Sequence, residues 1–178
     1  IELELRESVT KSLVADLLES RLDAAIVALP ISEPMLREFA LFQEDFVLVR
    51  PSNDAKKPVP SPDMLKTMRL LLLEEGHCFR DQALSFCEIG KAQPRQLMEG
   101  SSLSTLVQMV GAGMGVTLIP EMAIALETRA TDVSVVRFPP PRPSRTIGMV
   151  WRKSNPLGDQ LMHVGAIVRS VGQAKRDI

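Results

Sequence analysis

An open α/β fold in two lobes is the expectation for this chain, and three observations carry it. Short apolar runs ended by proline, residues 24–29 before Pro30 and 116–119 before Pro120, read as buried strands. Segments with apolar residues at helical spacing alternate with such runs, the pattern of strand-helix-strand units. A final strand and helix follow the stiff proline connector at 139–143, placed so that the first lobe can recruit them. The chain then crosses between lobes twice, near Gln43 and Glu44 and near Arg145 and Thr146. The expected lobes are residues 1–43 with 146–178, and residues 44–145.

The elements follow in order. Residues 1–7 alternate apolar and charged side chains, as a strand does. Ser8, Val9 and Thr10 offer cap residues, and Val14, Leu17, Leu18 and Leu22 recur at helical spacing, so a helix is expected over 11–21. Residues 24–29 fit a buried parallel strand, and 46–49 are the next strand. Residues 51–62 carry four prolines with Ser, Asn and Asp and read as loop. Ser61, Pro62 and Asp63 start a short helix ending near Met68. Residues 70–73 are a strand, a helix runs from about Cys78 to Phe86, and 97–99 are weakly strand-like. Ser102 caps a helix with Leu103, Leu106, Val107 and Val110 on one face, ending at Gly111 or Gly113. Residues 116–119 are a strand, 121–126 helical, 133–138 a strand, 145–152 a strand and 157–174 the closing helix.

Bulk properties exclude several classes. The chain has 178 residues, 45% apolar and 24% charged, enough for one sizeable core or two small ones. With 21 Lys and Arg against 22 Asp and Glu, and the basic residues scattered, no nucleic-acid face is expected. Every apolar run, 70–73 among them, is far too short to span a bilayer. No charged-then-apolar signal opens the chain. The abrupt opening strand has nothing leading into it, as in an excised domain. Two cysteines are too few for a disulfide scaffold, which points to a reducing cytoplasm where a disulfide is transient.

Those two cysteines, Cys78 and Cys87, bracket the helical segment. Nine positions apart on a helix, they face opposite sides and lie ~13.5 Å apart along the axis. A disulfide needs Cα atoms closer than about 7 Å, so a bond forms only if the helix unwinds. Cys78 opens the helix, where free N–H groups and the macrodipole stabilise a thiolate, and His77 and Arg80 stand beside it in sequence. Free cysteine is also among the most buried residue types, and spacing alone favours two apolar fillers.

Other constellations carry less. Two Cys and two distant His, His77 and His163, do not make a zinc set, and there is no Cys-x-x-Cys pair. His163 reads as a packing or surface residue of the last helix. Gly111, Gly113 and Gly115 resemble a phosphate loop, but they follow a helix and precede a strand, the reverse of the dinucleotide fingerprint; a helix cap and tight turn is the better reading. Ser101, Ser102, Ser104 and Thr105 at a helix start fit an anion or carboxylate site and fit plain capping equally well. Thr10 is either an N-cap or a ligand-facing hydroxyl.

The string from Glu74 through His77-Cys78-Phe79-Arg80-Asp81-Gln82-Ala83 to Phe86-Cys87 resembles the redox loop of the OxyR family, the hydrogen-peroxide sensors among LysR-type transcriptional regulators. The similarity extends to Ser102-x-x-Thr105, to Met109-Val110-x-x-Gly113-x-Gly115, to residues 145–152, and to the opening residues 5–10 and 22–26, so it covers essentially the whole chain. It implies a regulatory domain of two α/β subdomains, like periplasmic binding proteins. Cys78 would be the peroxidatic thiol and Cys87 the resolving one. His77, Arg80 and Asp81 match residues around the reactive sulfur, Thr10 matches a threonine that holds peroxide, and Arg145 matches an arginine near the hinge. The resemblance further implies a homodimer, a homotetramer in the full-length protein, contact with promoter DNA and RNA polymerase, a dithiol reductant such as glutaredoxin or thioredoxin, and neither cofactor nor membrane. The family's winged helix-turn-helix domain is absent here, as are the first strand and helix of the regulatory domain, and a histidine of some members is replaced near Gln96 and Leu97. The resemblance reverses the balance on the cysteines in favour of a switch.

Three functions compete on this reading. The first is a peroxide sensor in which Cys78 becomes a sulfenic acid and condenses with Cys87. The second is a LysR-type regulator that binds a small anionic metabolite between its lobes. The third is a thiol peroxidase with sustained turnover.

Overall fold

Two separate clusters of buried side chains organise the chain. One gathers Leu13, Leu17, Ala25, Val27, Leu36 and Val150; the other gathers the apolar residues of segments between 46 and 138. The computed structural model describes residues 3–74, 78–86 and 97–174. The clusters belong to two compact units, residues 1–43 with 146–178 and residues 44–145. In chain order the elements are α1 (Thr10–Leu18), β1 (Ala25–Leu29), β2 (Leu36–Pro51), α2 (Pro62–Thr67), β3 (Leu70–Leu73), α3 (Cys78–Phe86), β4 (Leu97–Gly100), α4 (Leu103–Gly111), β5 (Thr117–Pro120), α5 (Ile124–Glu127), β6 (Val133–Arg137), β7 (Ser144–Arg152) and α6 (Gly158–Ala174). β2 and β7 each run through a boundary between the units.

In the first unit β1 pairs antiparallel with β7, from Ala25 opposite Val150 to Leu29 opposite Thr146. The expected parallel strand is therefore corrected: the apolar run signalled burial, but the partner set its direction. Residues 3–9 are also not a strand. Leu3 and Leu5 are exposed, and alternation alone makes no strand without a neighbour to take its hydrogen bonds. α1 starts one residue early and stops at Leu18 rather than 21. Ser20 takes a left-handed conformation (φ 64°), letting Ser20 N–H reach Leu17 O and Arg21 N–H reach Asp16 O. Asp16, nearly buried, holds this turn by accepting from Arg21 Nε at 2.8 Å.

β2 is longer than its apolar core. It begins at Leu36, ten residues before Phe46, because Arg37, Glu38, Glu44 and Asp45 mask the pattern. Its first part is covered by α6 through two glycines one heptad apart. A Cβ on Gly165 would lie 3.0 Å from the Phe39 ring, and one on Gly172 would lie 2.3 Å from that of Phe42. Only hydrogen fits there, so the glycines set how closely α6 approaches β2.

In the second unit the later part of β2 is flanked antiparallel by β5 (Val49 opposite Thr117) and β6 (Val49 opposite Val135). β3 and β4 pair parallel from Leu70 with Leu97 to Leu73 with Gly100, and β3 bridges to Val116 on its other side. All four leucines of β3 are buried, as expected of a parallel strand covered on both faces. Ser61 caps α2 by accepting from Met64 N–H, and Ser102 caps α4 by accepting from Thr105 N–H. The 51–62 segment is not wholly loop: Ser52–Asp54 form a 3-10 turn, and so do Glu121–Ala123 ahead of the short α5. Buried Arg50 secures that segment by donating to the carbonyls of Ala55, Lys57 and Pro58.

Gly111 to Gly115 is a helix stop. Gly113 (φ +76°) donates to Val110 O and Met114 donates to Met109 O, which closes α4 in the paired bonding of a left-handed cap. Two substitutions here separate two physical costs. A Cβ on Gly115 would sit 2.4 Å from Arg69 O, a backbone atom that cannot swing aside, whereas one on Gly113 meets open space and suffers only the left-handed backbone. We expect Gly113→Ala to cost about 1 kcal/mol and Gly115→Ala to cost clearly more. Urea unfolding of both variants reads the difference, and equal midpoints would contradict it.

Candidate functional site

Cys78 is the first residue of α3, which follows β3 after a short connection. That position carries the unsatisfied N–H groups of the helix start, where a thiolate is electrostatically favoured. Cys87 and His77 lie outside the described residues, as do the sequence positions near Gln96.

Arg80, Ala83 and Leu84 form the inward face of α3, while Asp81 and Ser85 are exposed on the other. Ala83 is fully buried, and Phe86 meets Phe138 edge to face with centroids 5.1 Å apart. Arg80 is buried and does not stand free as a local positive charge. Its Nη1 donates to Leu73 O at 3.0 Å and to Glu99 Oε1 at 2.5 Å. The guanidinium thus ties the first turn of α3 to the end of β3 and to β4. Asp81 sits in the first helical turn, favourable to the helix dipole.

The remaining predicted site residues are spread over the fold. Thr10 is the first helical residue of α1, half-buried, in the first unit; the cap position belongs to Val9, whose side chain makes no cap bond. The capping alternative for Thr10 is therefore corrected. Arg145 lies in the second unit at its boundary. Its Nε and Nη2 both reach Glu44 Oε2, at 2.7 and 2.6 Å, and its guanidinium lies 5.8 Å from the Phe46 ring centroid. Glu44 is buried, so the paired contact with Arg145 is what compensates its charge. On the other side of the same boundary, Gln43 donates to Thr146 Oγ1 at 2.8 Å.

Glu44 and Glu99 are the residues that sequence reasoning missed. Each partners an arginine from a distant segment, 101 and 19 positions away, and no local pattern marks such a pair. The serine cluster is resolved toward capping. Ser102 Oγ accepts from Thr105 N–H, and Ser104 Oγ donates to Glu127 Oε2 at 2.5 Å. His163 is exposed on α6. Among the described residues no group of three or more His, Cys, Asp or Glu comes together to hold a metal ion. No helix of these residues is long and apolar enough to cross a membrane.

Arg80 is the stronger member of its pair for stability. Removing it strips Leu73 O of a buried donor, a loss of about 1–3 kcal/mol, whereas Glu99 is partly exposed and water can replace it. We expect Arg80→Ala to lower the urea midpoint well below that of Glu99→Gln. Equal effects would show that the ion pair, rather than the bond to Leu73, holds the turn.

Comparison with known proteins places the chain in a family. The LysR substrate binding domain model matches residues 1–172. A probable hydrogen peroxide-inducible genes activator of Streptomyces viridosporus is 38% identical over 183 residues, covering 100% of this chain and 57% of the relative. The DNA-binding transcriptional dual regulator OxyR of Escherichia coli K12 is 35% identical over 173 residues, with 96% and 56% covered. The chain thus spans little more than half the length of these relatives. Among solved structures, a hydrogen-peroxide-bound OxyR mutant of Corynebacterium glutamicum superposes with a TM-score of 0.84 at 32% identity, covering 94% of this chain and 54% of that one. The reduced OxyR regulatory domain of Pseudomonas aeruginosa gives 0.77 at 34% identity, covering 90% and 77%.

Proposed function

This chain belongs to the family of LysR substrate-binding domains, and on that premise we propose that it is the hydrogen-peroxide-sensing regulatory domain of a transcription factor. The observation that carries the reading is Cys78 at the N-terminus of α3, in a fold similar to a peroxide-bound OxyR. The Cys78 thiolate attacks one peroxide oxygen, giving a sulfenic acid and releasing hydroxide. The Cys87 thiol then displaces that oxygen as water and leaves a disulfide. A cellular dithiol such as glutaredoxin or thioredoxin returns both sulfurs to thiols.

Geometry makes this a switch. The two ends of a nine-residue helix lie about 12 Å apart, while bonded cysteines need Cα atoms within about 7 Å. A bond from the first residue of α3 to the residue after its last therefore requires α3 to come apart. The energetics of packing support this. α4 buries Leu106, Val107 and Val110 completely, each contributing about 1.5–3 kcal/mol. Among its described side chains α3 completely buries only Ala83, with Leu84 and Phe86 partly covered. By its described side chains α3 is the more lightly held of the two, and lightly held segments open at low free energy.

On this reading Cys78 and Cys87 carry the chemistry, and Thr10, His77, Arg80, Asp81 and Arg145 support it. Arg80 holds the start of α3 in place, and Arg145, paired with buried Glu44, holds the end of the second unit. The whole protein acts as a homodimer or homotetramer in the cytoplasm, binding promoter DNA through a winged helix-turn-helix domain outside this chain and engaging RNA polymerase. Peroxide is the signal, with one event per reset and no sustained turnover.

Stoichiometric peroxide followed by non-reducing mass spectrometry tests the proposal. The wild type should lose two hydrogens and yield a peptide joining Cys78 to Cys87. Cys78→Ser should abolish the reaction, and Cys87→Ser should stop at sulfenic acid or overoxidise. Equal loss of peroxide consumption in both variants would overturn the division of roles. Continuous peroxide consumption with a dithiol, at enzyme-like rates, would favour a peroxidase.

Hydrogen exchange supplies the conformational test. After confirmed oxidation, protection across 78–86 should fall while β1 and β5 keep theirs. Unchanged protection in α3 would rule out refolding.

A further inference from the structure

We propose that Glu99 is a positioning residue for the thiol chemistry: through buried Arg80 it holds α3 in the form that keeps the cysteines apart, and so it sets how readily the Cys78–Cys87 disulfide is reduced. The inference rests on the peroxide-switch reading and extends it to the reverse half of the cycle, the reset.

Glu99 belongs to the fixed side of this contact. β4 pairs with β3 along its whole length, with Glu99 opposite Leu72, and Glu74 N–H donates to Gly100 O at 3.2 Å. A Cβ on Gly100 would lie 2.8 Å from Leu106 Cδ2, so β4 also abuts the buried face of α4. Arg80 belongs to the other side. It lies two residues after Cys78, in the first turn of the helix that the switch takes apart.

The pair favours one state over the other. Arg80 is 7% exposed, and among the described side chains of α3 it is the one charge taken inside. A guanidinium in that position is costly unless a carboxylate compensates it. Glu99 Oε1 does so at 2.5 Å, a charge-assisted bond to Arg80 Nη1. The Glu99 side chain is itself 44% exposed, so water takes the place of the guanidinium when α3 opens. The contact therefore stabilises the folded helix and has no counterpart in the opened one.

An interaction made in one state and lost in the other shifts the balance between them by its own free energy. The exchange at issue is balanced. Dithiothreitol gives two electrons and two protons to the protein disulfide, leaves Cys78 and Cys87 as thiols, and becomes a cyclic disulfide. Glu99 pulls this exchange toward the thiols, which require no opening of α3. A protein without it holds its disulfide more tightly and resets less readily.

An equilibrium titration of the protein in dithiothreitol buffers, read by alkylation of free thiols and mass spectrometry, tests this. Glu99→Gln should move the exchange constant about threefold toward the disulfide, a midpoint about 15 mV more negative. Glu99→Lys, which repels Arg80, should move it about tenfold, or about 30 mV. Glu99→Asp keeps the charge and should recover part of the shift. Gly113→Ala weakens a helix stop on α4 that both redox forms share, so it should leave the midpoint where it is. A midpoint unmoved in Glu99→Gln and Glu99→Lys, or moved as far by Gly113→Ala, would overturn the role of Glu99 alone. A wild type that forms no Cys78–Cys87 disulfide would overturn the peroxide switch together with it.

Discussion

The strand Leu70–Leu73 is the member on which the second unit hangs. All four side chains are buried, which commits its backbone to internal hydrogen bonds. Each polar group around it then recruits an element. Arg69 O accepts from Val116 N–H, Leu71 N–H donates to Val116 O, and Leu71 O accepts from the Thr117 hydroxyl at 2.8 Å. At the strand's far end Leu73 O accepts from Arg80. One buried strand therefore places β4, β5 and the first turn of α3 at once, and with α3 it places Cys78.

Stability within that unit is unevenly shared. α4 is locked by three fully buried aliphatic side chains, a serine cap at its start and a glycine stop at its end. Among its described side chains α3 relies on an alanine, two partly covered apolar residues and one arginine. On the proposed reading, a covalent event at α3 reorganises that helix and leaves the strands beneath it in place. The Gln82 side-chain oxygen, buried with no partner among the described residues, lowers the cost of opening further.

At the boundary, each unit joins its own ends of β2 and β7 with a polar pair. Glu44 and Arg145 pair on one side of it, and Gln43 and Thr146 on the other. Arg142 and Asp45, with Phe46 N–H donating to Pro143 O, add to the first. Because β2 and β7 each run through the boundary, these pairs fix their alignment within each unit where the apolar pattern of both strands is weakest.

Much of this was readable in the residues alone. Helical spacing located α1 and α4, and apolar runs located the buried strands, because a residue's burial repeats with the geometry of its own element. Serine at 61 and 102 and glycine at 113 marked helix ends, since capping and left-handed turns are local chemistry. The Gly-His-Cys-x-Arg-Asp-Gln string carried the family, and with it the reading of the cysteines. What remained for tertiary structure was whatever needs a partner: that residues 3–9 form no strand, that β1 runs antiparallel, that β2 begins at Leu36, and that Arg80 and Arg145 answer to Glu99 and Glu44. A strand and an ion pair are both made by two segments, and the energy that decides them is absent from either segment read alone.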